Sequence, residues 1–382
     1  MKTNWLIIGA GLSGATLAER LASEGNQKVV VVDRRNHIAG NAWDESNEHG
    51  ILDHVYGPHI FHTKNSEVWN YLSNFTEWRT YFHKVLGSID GSLVPLPFNF
   101  NTIEQLFPSA LADRLISSLL ADYGYGSRVP ILSLLQTQSK DLQFLAEFVY
   151  EKVFEKYSLK QWGIRPENMS SSVSARVPVL ASRDDRYFQD PYQAIPKQGY
   201  GAMVKNMLNH KNIHILLGAE WADVRGEISY DCLAFTGPID EFFDFRHGPL
   251  PYRTLRFERE TFATASVQNA AVVNYPNEYD FTRRTEVKKI TGQNHEASTV
   301  ISEFPGEHIP GQTIPYYPVQ TRENRILYMK YRADAALLKP KTVFLGRLAE
   351  YMYYDMDHAV ARALRTFKNI QSGLDPVEGL ES

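Results

Sequence analysis

Two histidines three residues apart, His59 and His62 in YGPHIFHT (Tyr56–Thr63), are the first side chains along the chain equipped for chemistry. Histidine titrates nearest neutrality and also binds metals, so acid–base work and metal ligation are both open to them. In an extended segment, residues three apart point to opposite faces and cannot converge on one ion. Gly57-Pro58 opposes the helical turn that would align them, and no neighbouring acid or histidine supplies a third ligand. No metal site is expected. Two readings remain: imidazoles packed on a flat cofactor, one giving it a hydrogen bond, or structural histidines.

Arginines, tyrosines and a tryptophan form a second set. Arg176 sits in the serine-rich run ENMSSSVSARVPV, and Arg283 in the polar turn FTRRTE. Guanidinium is suited to bidentate phosphate binding, although a lone arginine is more often a solvated surface group. EKYSLKQWG (Glu155–Gly163) puts Tyr157 and Trp162 at the end of a helical region, where the indole is either a stacking platform for a base or core. Tyr187, Tyr316, Tyr317, Tyr353 and Tyr354 offer phenols to phosphate or sugar oxygens, with packing the competing use. Together these groups fit a diphosphate that carries a base.

The elements that must position them begin at once. Trp5–Ile8 reads as a buried strand, Gly9-Ala-Gly11-Leu-Ser-Gly14 as a glycine turn, Ala15–Glu24 as a helix, and KVVVVD to Asp33 as a second buried strand. Gly9 allows the turn, Gly11 lets backbone approach a pyrophosphate, and Gly14 permits close helix–strand packing. Asp33 suits the ribose hydroxyls of an adenosine. The glycines alone do not separate FAD from NAD. GRLAEYMYYDMDHAV, a second glycine after a strand and before a helix, favours the longer dinucleotide, with Arg347, Asp355 and Met356 near the ribityl chain and flavin.

Further on, a hairpin is expected around Asp90-Gly91, and helices from Thr102 to about Lys160. Residues 250–333, NRILYMKYR included, read mostly as strands. The expected fold is α/β: a Rossmann-like FAD-binding domain built from discontinuous segments (1–60, 195–240 and 325–382). A helical insertion domain (101–170) and an antiparallel β-sheet domain for substrate (61–100, 171–194 and 241–324) complete it.

Bulk properties narrow the class. The chain has 382 residues, 43% hydrophobic and 22% charged, with a formal net charge of -4. That balance gives no general attraction to nucleic acid or anionic lipid. No run is long and apolar enough to span a bilayer, and the immediate strand leaves no room for an export signal. A cytoplasmic protein is expected, and Cys232 as the single cysteine agrees with that.

Taken in order, GAGLSG with VVD, Ala39-Gly40-Asn41, YGPHIFHT, EKYSLKQWG, VSARVPV, RYFQD with PKQGYGAM, FTGPIDEFF, FTRRTE, IPYYPV and GRLAEYMYYDMDHA resemble the bacterial UDP-galactopyranose mutase family over nearly the whole chain. The resemblance implies reduced FAD as cofactor and interconversion of UDP-galactopyranose and UDP-galactofuranose. It places Trp162 near the uracil, Tyr157 on the nucleotide, and Arg176 (on a lid) and Arg283 on the diphosphate with Tyr187, Tyr317 and Tyr353. Gly40 and Asn41, His59 and His62, Arg347 and Asp355 fall to the flavin side, His62 nearer the isoalloxazine. Ala39 replaces a family glycine, so its backbone geometry must accept a β-carbon.

The mechanism so implied is attack of flavin N5 on the anomeric carbon, departure of UDP, ring opening through an iminium, reclosure through O4 and return of UDP. Arg176, Arg283 and His62 are the catalytic protein groups in this scheme. A homodimer, an unidentified reductant and a role in cell-surface polysaccharide synthesis accompany the resemblance. Two other readings are an oxidoreductase of the amine oxidase or desaturase type, and a UDP-sugar binding protein without turnover.

Overall fold

A strand written Val-Val-Val-Val-Asp has no polar face to offer water and must be covered on both sides. Val29–Asp33 is buried throughout. The computed structural model describes residues 2–168, 178–338 and 342–376. In it this strand lies second in a five-stranded parallel sheet ordered Ile213–Leu217, Val29–Asp33, Lys2–Ile8, Ser229–Phe235, Thr342–Phe344. Three distant stretches of chain thus share one sheet, as in a doubly wound nucleotide fold.

The alternation of strand side chains divides the core in two. Trp5, Ile7, Val29 and Val31 pack beneath helices Leu12–Ser23, Tyr200–Leu208 and Met356–Gln371. Leu6, Ile8, Val30 and Val32 pack on the other side with Phe235, Phe243, Tyr331 and Phe344. The last helix buries Val360, Ala363, Leu364 and Phe367, the face its apolar spacing predicts.

Beside this domain stands a seven-stranded sheet ordered Tyr317–Pro318, Tyr252–Phe262, Ser298–Glu307, Arg283–Glu286, Val272–Asn274, Val85–Ile89, Ser92–Leu96. It is antiparallel except where Val272–Asn274 meets Val85–Ile89 in parallel. The last two strands form the expected hairpin. Asp90 (φ 48) and Gly91 (φ 82) both take the positive φ of the tight two-residue turn that joins them.

A third core lies under the helical insertion, which runs through Phe100–Leu106, Ser109–Tyr123, Ile131–Leu134 and Lys140–Val149. Residues Tyr150–Glu155 then widen into a π-helical turn before Lys156–Trp162. Such a change of pitch re-aims the following face. Here Phe154, Tyr157, Ser158, Gln161 and Trp162 all come to line one cavity.

One expectation is corrected. NRILYMKYR is not a strand but part of the helix Arg322–Ala335. Thr321 caps it by accepting from the Asn324 N–H, and Tyr328 and Tyr331, three apart, are its buried residues. Its β-branched and aromatic content favoured a strand, but the cap and the three-residue spacing decided the outcome. Among the described residues no helix is long and apolar enough to cross a membrane.

Candidate active site

A cavity of about 1020 Å³ opens where the carboxyl ends of the parallel strands face the second sheet and the helical insertion. That is at the upper end of the range for ligand pockets, roughly 300–1,000 Å³, and leaves room for more than one ligand.

Its first half is made largely of backbone. Gly9 has φ +107, and a β-carbon there would meet Thr236 Oγ1 at 1.9 Å. A β-carbon on Gly14 would meet the Gly9 carbonyl oxygen at 2.0 Å, so the helix can lie this close to the turn only with glycine. Gly11 is the N-cap of Leu12–Ser23, with no side-chain cap and no acid in the first turn. The first N–H groups of that helix are therefore open to an anion. Asp33 is buried and tied to the turn, its two oxygens accepting from the N–H groups of Ala10 (2.8 Å) and Arg35 (2.9 Å).

Gly40 (φ +56) lies against Gly11, and Asn41 Oδ1 accepts from Arg35 Nη2 at 2.7 Å. Ala39 adopts φ +68, the left-handed conformation, although it is not glycine. The position keeps a glycine-like backbone and the β-carbon bears the strain. Arg35 lies over the Tyr56 ring at 4.3 Å, and its buried Nη1 has no hydrogen-bond partner among the described residues. An unpaired buried guanidinium nitrogen beside a bare helix N-terminus fits a phosphate-bearing cofactor. Beside the same turn, where a β-carbon on Gly346 (φ +102) would lie 3.3 Å from Ser13 Oγ, Gly346 precedes Arg347, and Asp355 and Met356 start the helix Met356–Gln371; all four line the cavity. The residues of this half fit a dinucleotide cofactor.

The three histidines of the wall differ. His59 Nδ1 lies 2.8 Å from the Gly57 carbonyl oxygen, and burial with the nearby Arg347 and Arg283 charges lowers its pKa to about 4. His83 is lowered to about 3 by burial, then by the Arg283 and His62 charges. Both are neutral at pH 7. Among the described residues His62 alone of the three has a carboxylate partner, Asp190 Oδ2 at 2.7 Å from Nδ1. His59 and His62 do face the same cavity, because only His62 lies in the strand Phe61–Thr63.

The second half is made of long side chains from distant segments. Arg283 is opposite Glu303 in neighbouring strands and is held through Nε–Oε2 and Nη2–Oε1, both 2.9 Å. Burial opposes the guanidinium charge, but the buried Glu303 carboxylate outweighs it and holds the Arg283 pKa well above its ordinary value. Among the described residues Nη1 has no hydrogen-bond partner and is left for a ligand. Trp162, Tyr317 and Tyr353 converge with ring centroids 5.1–5.6 Å apart. Arg347 covers Tyr317 at 5.1 Å. Tyr157 and Tyr187 line the same wall, and burial raises the Tyr157 and Tyr317 phenol pKa values, so both remain protonated donors. Tyr316 is core, whereas Tyr354 is buried, donating to Glu350 Oε2 at 2.6 Å, and also borders the cavity. Arg176 lies outside the described residues.

Several contributors were not singled out from sequence. Arg253 donates to the Lys160 and Gln161 carbonyls at 2.9 Å each, closing the end of the helix that carries Trp162. Lys160 Nζ ties that helix to the carbonyls of Tyr275 (2.6 Å) and Tyr279 (2.8 Å), and burial lowers its pKa to about 8. Gln161 Oε1 and Asn274 Oδ1 are buried without a partner among the described residues, though both residues line the cavity. They fit a base N–H or a sugar hydroxyl. Glu303, Asp190 and Phe188 were also missed; RYFQD contains the last two, but only Tyr187 of that run stood out.

Comparison with known proteins agrees with this layout. The profile of the family described as UDP-galactopyranose mutase matches residues 152–353, and that of an NAD(P)-binding Rossmann-like domain matches residues 7–75. A Klebsiella pneumoniae protein described as "Probable UDP-galactopyranose mutase" is 37% identical over 369 residues, 95% of this chain and 93% of that one. A dTDP-fucopyranose mutase of Escherichia coli is 38% identical over 369 residues, 94% of this chain and 96% of that one. The crystal structure of a reduced UDP-galactopyranose mutase superposes with TM-score 0.72 at 15% identity, covering 97% of this chain and 94% of the other. Putrescine oxidase bound to putrescine superposes with TM-score 0.59 at 12% identity, covering 97% and 99%. At these identities the two structures speak for the fold alone.

Proposed function

The chain belongs to the UDP-galactopyranose mutase family, and from that membership we propose that it interconverts UDP-galactopyranose and UDP-galactofuranose with reduced FAD. It is a flavin-dependent mutase of nucleotide-linked sugars at the family level. One observation supports the finer reading above the rest. The glycine cradle and the Arg283–Trp162–Tyr317–Tyr353 group line a single cavity.

Reduced FAD, when bound, supplies the nucleophile for the anomeric carbon. Around it the chain's own groups have separable roles. Gly9, Gly11, Gly14 and the first turn of Leu12–Ser23 hold the pyrophosphate, and Asp33 faces the adenosine ribose. Gly40, Asn41, His59, His62, Arg347, Asp355 and Met356 hold the flavin end. Arg283, kept charged and oriented by Glu303, takes the negative charge that grows on the diphosphate as it leaves. Tyr157, Tyr187, Tyr317 and Tyr353 donate to the same oxygens, with Arg176 assigned there from its sequence context. Trp162 stacks on the base, while Gln161 and Asn274 accept from the base or its ribose. UDP so held stays beside the sugar for the return step. The reading includes a cytoplasmic homodimer, with the helical insertion as its contact surface, supplied with electrons by a separate reductant.

The test is to incubate dithionite-reduced protein with UDP-galactofuranose and separate the sugar nucleotides by chromatography. Conversion to the pyranose form supports the reading; binding without conversion overturns it. The dTDP-fucopyranose mutase relative motivates a second reading, in which the deoxynucleotide sugar is the better substrate. Running both substrates decides between them by kcat/KM.

A further inference from the structure

His62 is fixed on three sides. Its Nδ1 lies 2.7 Å from Asp190 Oδ2, and its ring stacks on Phe188 with centroids 3.5 Å apart and planes at 14°. The strand Phe61–Thr63 pairs with Tyr192–Pro196 so that His62 stands opposite Gln193. Gln193 in turn donates from Nε2 to the carbonyls of Phe188 (3.1 Å) and Asp190 (2.8 Å), which holds the turn carrying both partners of the imidazole. The His62 and Asp190 side chains are 13% and 15% exposed.

The groups around the pair define its charge state. Lys64 stands near it from the same edge of the cavity, Arg128 from the strand Arg128–Pro130, and His83 beside Phe188. The hydrogen bond with His62 holds the Asp190 carboxyl below its ordinary range despite burial, and the His62, Lys64 and Arg128 charges act in the same direction. An ionised carboxylate only accepts, so the proton of a neutral His62 belongs on Nδ1 and the lone pair on Nε2. No hydrogen bond occupies Nε2 among the described residues, and the residue lines the cavity.

We propose that Asp190 is a positioning residue that sets the tautomer of His62, so that Nε2 carries the proton exchanged between two sugar oxygens. The inference rests on the mutase reading above. Contracting a six-membered sugar ring breaks the bond from C1 to O5, and O5 takes a proton. Closing the five-membered ring forms the bond from C1 to O4, and O4 loses one. A protonated His62 gives its proton in the first event and recovers one in the second. The sequence runs backwards for ring expansion, no net proton is gained or lost, and no outside acid or base is needed. Among the described residues His59 and His83 have no carboxylate partner to receive the positive charge; His62 has one.

The test uses the FAD-loaded enzyme as wild type, Asp190→Asn, His62→Gln and the double variant. Asp190→Asn is expected to lower kcat about 100-fold, within the span of general acid–base contributions. KM, the flavin spectrum and UDP affinity should stay within about threefold, since the groups assigned to the nucleotide are untouched. The double variant should be no slower than His62→Gln alone, because Asp190 acts through that ring. Losses that multiply, or Asp190→Asn turnover within about threefold of wild type, overturn the proposal. A readout independent of turnover is the ¹⁵N shift of the His62 ring nitrogens in wild type, assigned with His62→Gln. A neutral ring protonated at Nδ1 supports the proposal, and one protonated at Nε2 overturns it whatever the variants do. Wild type that makes no furanose sinks the mutase reading itself; active wild type with an indifferent Asp190 sinks only this inference.

Discussion

The two halves of the cavity are built on opposite principles. The half proposed for the cofactor is backbone: glycines at 9, 11, 14 and 40 and two helix N-termini, drawn mostly from short contiguous runs. The half proposed for the substrate is side chain: Arg283, Trp162, Tyr317 and Tyr353 arrive from four separate segments and depend on partners elsewhere in the chain. A backbone cradle fails through steric intrusion. A side-chain cluster fails when a supporting partner is removed.

Glu303→Leu should break the substrate half most severely. It leaves the Arg283 charge unpaired against the sheet, and removing one partner of a buried pair costs about 3–5 kcal/mol. Arg283 is 26% exposed, so the lower end of that range is expected. Turnover should drop about 10²–10³-fold, the cost of losing a positioned charge donor. Chemical denaturation and kcat check it; bound flavin should persist at wild-type stoichiometry if the halves are separable.

Gly14→Ala is the matching break on the other side. Its β-carbon would sit 2.0 Å from the Gly9 carbonyl oxygen, neither of them a flexible side-chain end. Overpacking of this kind costs about 1–3 kcal/mol. The protein should purify with little FAD while UDP binding, read by calorimetry, is largely retained. Full flavin occupancy with unchanged melting would contradict the cradle.

Acid should act through the buried histidines, His54 among them. Burial lowers His54 and His83 to about 3, below the ordinary 6.5. The unfolded chain therefore takes up their protons first. Stability is fully present above about 6.5 and falls as pH drops toward 3, by up to about 1.4 kcal/mol per pH unit for each. Melting at pH 7.5 and 5.5 tests this, and His83→Gln should flatten the difference. Equal melting temperatures at the two pH values would contradict it.

Smaller effects sharpen the comparison. Trp162→Ala removes a stacking face worth about 1–3 kcal/mol, so KM for the nucleotide sugar should rise about tenfold or more with kcat nearly constant. Ala39→Gly relieves a left-handed alanine but loses a buried methyl, and the two terms, each about 1 kcal/mol, nearly cancel. Thermal melting should move by little and flavin should stay bound.

This contrast also explains what was legible in the sequence. The strand–glycine turn–helix–strand–acid unit was readable because its pattern lies in one short run, with Gly14 packed on the Gly9 carbonyl, although Gly9 also answers to the distant Thr236 and Gly11 to Gly40. Arg283 and Trp162 could be named as candidates, but Glu303, Arg253 and Lys160, which hold them, could not, since strand register and helix docking create those pairs. His62 was conspicuous and Asp190, 128 residues later, was not. The helix Arg322–Ala335 was misread because its composition favours a strand and only its cap and tyrosine spacing say otherwise. At Ala39 the residue type argued for ordinary backbone, while the fold imposed the left-handed geometry that glycine takes most readily.

The central claim is that one cavity brings a flavin on the backbone cradle against a sugar held by the Arg283 cluster. A crystal structure of the reduced, FAD-loaded enzyme with UDP-galactopyranose tests it most directly. The account predicts the anomeric carbon within about 3.5 Å of flavin N5, a near-attack separation, with the diphosphate on Arg283 and the base on Trp162. A diphosphate bound away from Arg283, or a hexose turned out of the cavity with its anomeric carbon far from N5, would contradict it.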